Sequence, residues 1–284
     1  MRTLAIFNQK GGVGKTTTAV NLAALWAKQG HEVLLVDLDA QGNATTTFGF
    51  RPPPPYGVFD LLTGHAEMDQ VMAKTGIERL SLLPSTPSMS ILDVTLAAMD
   101  EPEALLKHAL QKLNGRFEYV VLDCPPTLAL PAANALTAAD EILIPTQCYR
   151  YAQDGLHATW ANVKRVCRHL NPSLRVNGIL LIGADATEVG IRTAKMIREE
   201  FGGRVYPVDI PADSTVVIAE EEDLPLVCTH PGSPAAKAYD ELSTLVSARL
   251  FAGGADHIHG FLSADEDEPT YKREPAWTDE VAKD

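Results

Sequence analysis

The chain has 284 residues, carries 37 carboxylates against 24 lysines and arginines for a net charge of −13, and is 45% hydrophobic. No apolar run is long enough to span a bilayer, no signal-peptide pattern is present, and Cys124, Cys148, Cys167 and Cys228 lie far apart without paired spacing. These features exclude a membrane-spanning protein and a cysteine-bound zinc or iron–sulfur centre, and predict a soluble, cytoplasmic chain with reduced, buried thiols.

The apolar stretch Leu4–Phe7 leads into Asn8-Gln9-Lys10-Gly11-Gly12-Val13-Gly14-Lys15-Thr16-Thr17-Thr18, and a helical pattern runs from Thr16 to Gln29. Val20, Leu22, Leu25 and Trp26 occupy its apolar positions, and Gly30 ends it. A second apolar run at 33–36 closes on Asp37, with Asp39 two residues on. Arg51–Pro55 reads as a stiff surface connection to a short helical pattern at Val58–Leu62. Further apolar runs at 80–83, 119–122, 141–144, 178–182 and 204–208 alternate with helical patterns. Two of these helices carry basic stripes: Lys164, Arg165, Arg168 and His169 on one, Arg192, Lys195 and Arg198 on the other. A last amphipathic helix is predicted from about Ala235 to Phe251. This alternation predicts an α/β fold with a single doubly wound, mostly parallel sheet and helices on both faces. From Ala252 the composition turns polar, with nine carboxylates against three basic side chains. Residues 1–251 are therefore expected to form the domain and 252–284 an acidic, disordered tail. Phe261, Tyr271 and Trp277 are scattered through that tail.

The glycine-rich stretch has the strand, loop and helix context of a phosphate-binding loop. Glycines Gly11, Gly12 and Gly14, with Val13 between them, let backbone N–H groups turn toward phosphate oxygens. The following helix adds its positive end, Lys15 can reach the β and γ phosphates, and the Thr16 hydroxyl can sit on Mg²⁺. ATP or GTP is the ligand this predicts. Gln9 stands where the usual pattern has a glycine, so the loop is a variant, and Lys10 is a second lysine ahead of the glycines.

That variant loop, together with Val33–Asp39 followed by Gln41-Gly42-Asn43, Tyr119–Pro126, Asn134-Ala135-Leu136, Ile142–Cys148 and Ile210-Pro211, resembles the ParA/MinD class of P-loop ATPases, and among them the Soj-like ParA partition ATPases. The resemblance covers about residues 1 to 250 and implies a Mg²⁺-dependent ATPase, slow without a partner, that forms an ATP-dependent homodimer and segregates or positions an intracellular cargo. It implies that Lys10 reaches the nucleotide of the opposite subunit, that Thr17 adds a phosphate contact and that Asp39 orients the attacking water. It further implies that Thr16 binds Mg²⁺ directly, that Asp123 holds it through a water and that Asp37 supports that shell. Pro211 and Asp213 fall where the family contacts adenine, with Asp213 in place of asparagine. A ParB-like or other basic-peptide activator is the expected partner.

The family's DNA-holding basic positions align here with Thr187, Ala212, Thr215 and Leu224, and Glu220-Glu221-Glu222-Asp223 fills a stretch that the family leaves nearly neutral. Carboxylates oppose phosphate neutralisation, so nonspecific DNA binding, and with it nucleoid association, stays open. The alternative is a ParA-like ATPase that positions a protein cluster or a secretion or chemotaxis machine without the usual DNA surface. Membrane binding is not expected, because the MinD-like branch ends in a basic amphipathic helix and this chain in acidic residues.

Overall fold

A computed structural model describes residues 1–97, 99–113, 115–184 and 187–252. In chain order the first half contains β1 (Arg2–Ile6), α1 (Lys15–Lys28), β2 (Val33–Asp37), α2 (Asn43–Thr46), α3 (Val58–Leu62), α4 (Met68–Val71), β3 (Ala73–Lys74), β4 (Leu80–Leu83), α5 (Leu92–Leu96) and α6 (Leu105–Gln111). The second half contains β5 (Tyr119–Asp123), α7 (Leu130–Ala138), β6 (Glu141–Gln147), α8 (Ala152–His169), β7 (Arg175–Ile182), α9 (Glu188–Phe201), α10 (Thr215–Glu221), α11 (Leu226–Thr229) and α12 (Pro234–Ala252).

The strands pair in the order β3-β4-β2-β5-β1-β6-β7, all parallel except the short edge strand β3. Successive side chains along a strand point to opposite faces, so each apolar strand feeds two cores. Leu34, Val36, Val120 and Leu122 pack beneath α3, α6, α7 and α8 on one face. Val33, Leu35, Tyr119 and Val121 pack beneath α1, α11 and α12 on the other. Covering both faces explains why these strands are nearly continuous apolar runs. Each fully buried Leu or Val contributes about 1.5–3 kcal/mol.

Helix α1 is buried on most of its circumference, and Val20, Leu22, Leu25 and Trp26 are all core residues. Trp26 stacks on Tyr119 at 4.4 Å between centroids and donates its indole N–H to the Ser243 carbonyl at 3.2 Å, joining α1 to β5 and α12. Gly30, at φ 97°, takes the left-handed turn that ends the helix.

After β7 the structure departs from the sequence pattern. The apolar run 204–208 forms no strand: Val205 and Ile210 reach β7 only through single bridges, to Ile179 and Ile182. Pro207 lacks the N–H that a ladder requires, and Pro211 stops pairing beyond Ile210. Helix α10, absent from the predicted elements, fills Thr215–Glu221 instead. The predicted last helix is present as α12; the acidic stretch with Phe261, Tyr271 and Trp277 lies outside the described residues, which end at Ala252.

Candidate active site

The strand register places the site. Ile6 of β1 and Asp37 of β2 both stand opposite Asp123 of β5, so three carboxyl-terminal strand ends lie at one level, where open α/β sheets bind ligands. Above them is a cleft of about 770 Å³ lined by Gly11–Thr17, Asp39 and Gln147, with Pro211–Asp213, Val216, Val217 and Leu224 along its far side.

Residues Gly11–Lys15 wrap the start of α1. Gly12 and Gly14 have φ of 71° and 81°, a left-handed backbone that favours glycine at both positions. The first turn of α1 points its free N–H groups into the cleft. Lys15 is 7% exposed, and its ammonium donates to the Lys10 carbonyl at 3.0 Å. Burial lowers its pKa, against the opposing pull of Asp123, Cys124 and Asp39.

The start of the loop is pinned by Asn8, which is 2% exposed. Its amide donates to the Pro145 carbonyl at 2.8 Å, while its oxygen accepts the Lys10 N–H and the Thr159 hydroxyl, both at 3.0 Å. Thr159, wholly buried on α8, also accepts the Gln9 N–H at 3.3 Å. Sequence reasoning missed this hub. Its only signal was an asparagine placed just ahead of the loop.

The three aspartates have different surroundings. Asp37 is fully buried, and one of its oxygens accepts the Thr45 N–H at 2.7 Å and the Thr45 hydroxyl at 2.6 Å; the other accepts the Asp39 N–H at 3.2 Å. Desolvation pushes its pKa up to about 6, with the Thr45 and Asp39 hydrogen bonds holding it down. Asp123 is equally buried, yet neither oxygen accepts a hydrogen bond of ordinary geometry. Desolvation and then the Asp37 charge raise its pKa well above normal, opposed by the Thr16 hydroxyl and Lys15. Such an orphaned carboxylate is costly unless a cation or an oriented water completes it. A divalent ion between Thr16 and Asp123 fits this donor set, since Mg²⁺ takes one or two protein oxygens and keeps waters. Asp39 is half-buried, faces the cleft, and accepts the Gln41 N–H at 3.0 Å.

On the far side, Asp213 has internal partners. One oxygen accepts the Thr215 N–H at 3.0 Å and hydroxyl at 2.6 Å, and the other accepts the Ala235 N–H at 3.0 Å. Its pKa is lowered: partial desolvation raises it, but these bonds outweigh that. Asp213 thus joins the starts of α10 and α12, with the Ser233 hydroxyl as a further partner. Pro211 lines the cleft beside it. The Arg51 guanidinium, from the loop after α2, pairs with Asp223 at the cleft mouth.

Thr187, aligned with a family arginine, caps α9 by accepting the Gly190 N–H at 3.0 Å. In the basic stripe on α9, Arg198 pairs with Asp209 at 2.6 Å and Lys195 with Glu199 at 3.8 Å. Cys124, Cys148 and Cys167 are buried and Cys228 is half-buried; among the described residues no group of His, Cys, Asp and Glu forms a metal cluster. No helix among the described residues is long and apolar enough to cross a membrane.

Comparison with known proteins agrees with this geometry. A family model described as an AAA domain matches residues 1–176. The chain is 38% identical to the sporulation initiation inhibitor protein Soj of Bacillus subtilis over 86% of its length and 98% of that protein's. It is 36% identical to the chromosome partitioning protein ParA of Caulobacter vibrioides, over 88% of this chain and 95% of that one. Among solved structures, cobyrinic acid a,c-diamide synthase from Mycobacterium smegmatis with bound ADP and magnesium superposes with a TM-score of 0.75 at 32% identity, covering 86% of this chain and 93% of that one. With this loop, these strand-end carboxylates and these relatives, the chain belongs to the ParA/MinD class of P-loop ATPases, among the Soj-like ParA proteins.

Proposed function

We propose that this protein is an ATP-dependent dimerising ATPase that positions or segregates an intracellular cargo, its hydrolysis stimulated by a cargo-bound partner. The observation that carries this reading is that Lys10 and Lys15 flank one glycine loop over a cleft that also holds Asp39, with the orphaned carboxylate of Asp123 beneath. Phosphoryl transfer to water needs an oriented nucleophile and positive charge where negative charge accumulates. Lys15 and the N–H groups of Gly11–Thr17 neutralise the phosphates within the subunit. Lys10 acts across the interface on the partner's nucleotide, coupling dimer formation to ATP. Asp39 orients the attacking water. Thr16 and Asp123 would hold Mg²⁺, which when bound neutralises charge on the β and γ phosphates, and Asp37 fixes that end of the sheet. Adenine lies against Pro211, beside Asp213.

The substitutions at the family's basic positions favour a second reading for the surface, in which the cargo track is a protein rather than DNA. Ala212 and Leu224 line the cleft, Thr215 and Thr187 are spent on capping bonds, and four carboxylates follow. Light scattering with ATP and with ADP tests the dimer: the parent should double in mass with ATP only, Lys10→Ala should lose this while retaining ADP, and an unchanged Lys10→Ala dimer would overturn the reading. Binding of Asp39→Ala, ATP-loaded, to nonspecific duplex DNA across a salt series then separates the two tracks. Steep salt dependence marks DNA.

A further inference from the structure

The Lys10 ammonium lies 3.9 Å from the centroid of the Tyr149 ring of its own chain. Tyr149 belongs to the turn between β6 and α8, outside the glycine loop. Both ends of this contact are fixed. The Tyr149 N–H donates to the Gln147 carbonyl at 3.1 Å, its carbonyl accepts the Ala152 N–H at 2.8 Å, and its hydroxyl bonds to the Gln147 side chain. The Lys10 N–H is held by Asn8, and its carbonyl by Lys15. Asn8 is in turn bonded to Pro145 and Thr159, on either side of the Tyr149 turn. The loop start and the β6–α8 turn are therefore one hydrogen-bonded block, and the ring sits where an ammonium on Lys10 meets its π face.

We propose that Tyr149 is a positioning residue that retains the Lys10 ammonium within its own subunit and so sets the concentration at which ATP-bound dimers form. This rests on the reading above that Lys10 acts across the interface. A lysine cannot keep the cis ring and also reach the partner's phosphates, so the two contacts compete. A partly exposed cation–π contact corresponds to about a two- to fivefold bias for each lysine. Two lysines must be released per dimer, giving roughly four- to twenty-fivefold in its dissociation constant.

Sedimentation of the full chain with a non-hydrolysable ATP analogue would compare the parent with Tyr149→Leu and Tyr149→Phe. Phenylalanine keeps the ring and loses the bond to Gln147, so it should dimerise like the parent. Leucine loses the ring and should dimerise at roughly four- to twenty-fivefold lower concentration. A leucine variant that binds ADP normally but dimerises at the parent's concentration, or more weakly, overturns the proposal. If the parent stays monomeric with the analogue, the trans role of Lys10 fails and this inference with it. A measurement on the parent alone does not depend on any variant folding: ring currents should shift the Lys10 ε-methylene protons upfield, and unshifted signals would refute the contact.

Discussion

Replacing Thr45 with valine removes a hydroxyl and leaves the side-chain shape. That hydroxyl donates to Asp37 at 2.6 Å and accepts the buried Ser85 N–H at 2.8 Å. A hydrogen bond to a charged group contributes about 1.5–3 kcal/mol, and a buried donor left alone costs about 1–3 kcal/mol. Because the two bonds share one oxygen and the backbone relaxes, the expected loss is about 3 kcal/mol, with little cavity cost. The loss should depend on pH. The folded pKa of Asp37, about 6, lies above its ordinary 3.8, so between these values the native state binds the proton more readily than the unfolded chain. Stability tied to Asp37 therefore falls as pH rises through that window, and the burial penalty is complete above it. Thr45 offsets part of that penalty by favouring the carboxylate. Thr45→Val should thus lose most at pH 8, while at pH 5 the deficit shrinks toward the Ser85 share. Urea unfolding in EDTA at both pH values, followed by tryptophan fluorescence, measures this. Equal losses at the two pH values, or a loss under about 1 kcal/mol at pH 8, would refute the assignment of Thr45 as the partner of a charged Asp37.

Two further substitutions test other parts of the frame. Thr159→Val should orphan the Gln9 N–H and loosen Asn8, weakening binding of a fluorescent ADP by about tenfold, an amount worth one charge-assisted contact; parental affinity would show that α8 does not position the loop. In Gly178→Ala the new Cβ would lie 2.4 Å from the Tyr206 ring and 2.7 Å from Arg249 Nη1. The Tyr206 hydroxyl is bonded to Asn177, so the ring cannot swing aside, and a fall in melting temperature of about 5 °C is expected, against no change if the sheet can yield.

The strands were readable in the sequence because β1, β2, β4, β5 and β6 are covered on both faces, which forces unbroken apolar runs. Asp37 and Asp123 stood out as carboxylates closing such runs, and the register that sets them opposite each other follows from parallel pairing. Other features depend on contacts distant in the chain. The Thr159 hydroxyl meets Asn8 across 151 positions, and nothing in the local pattern of α8 distinguishes that threonine from a core residue. Tyr149 is likewise an ordinary turn residue until the fold places it over Lys10. That Asp213 also starts two helices was not legible, because its Ala235 partner lies 22 positions further along the chain. The run 204–208 misled for a local reason: its apolar residues satisfy the strand pattern while Pro207 forbids the ladder.

One carboxylate grips both ends of the segment that carries Asp39. Asp37 holds the Asp39 N–H with one oxygen and the Thr45 N–H and hydroxyl with the other, and Gly42, at φ 65°, supplies the bend between them. The segment is a short hoop clamped to the end of β2. Asp39 is held within it at both backbone groups, since its carbonyl accepts the Gly42 N–H at 2.9 Å, and moving it off the cleft means breaking one of these bonds. The backbone of Asp39 is therefore set by the fold itself, before any ligand arrives.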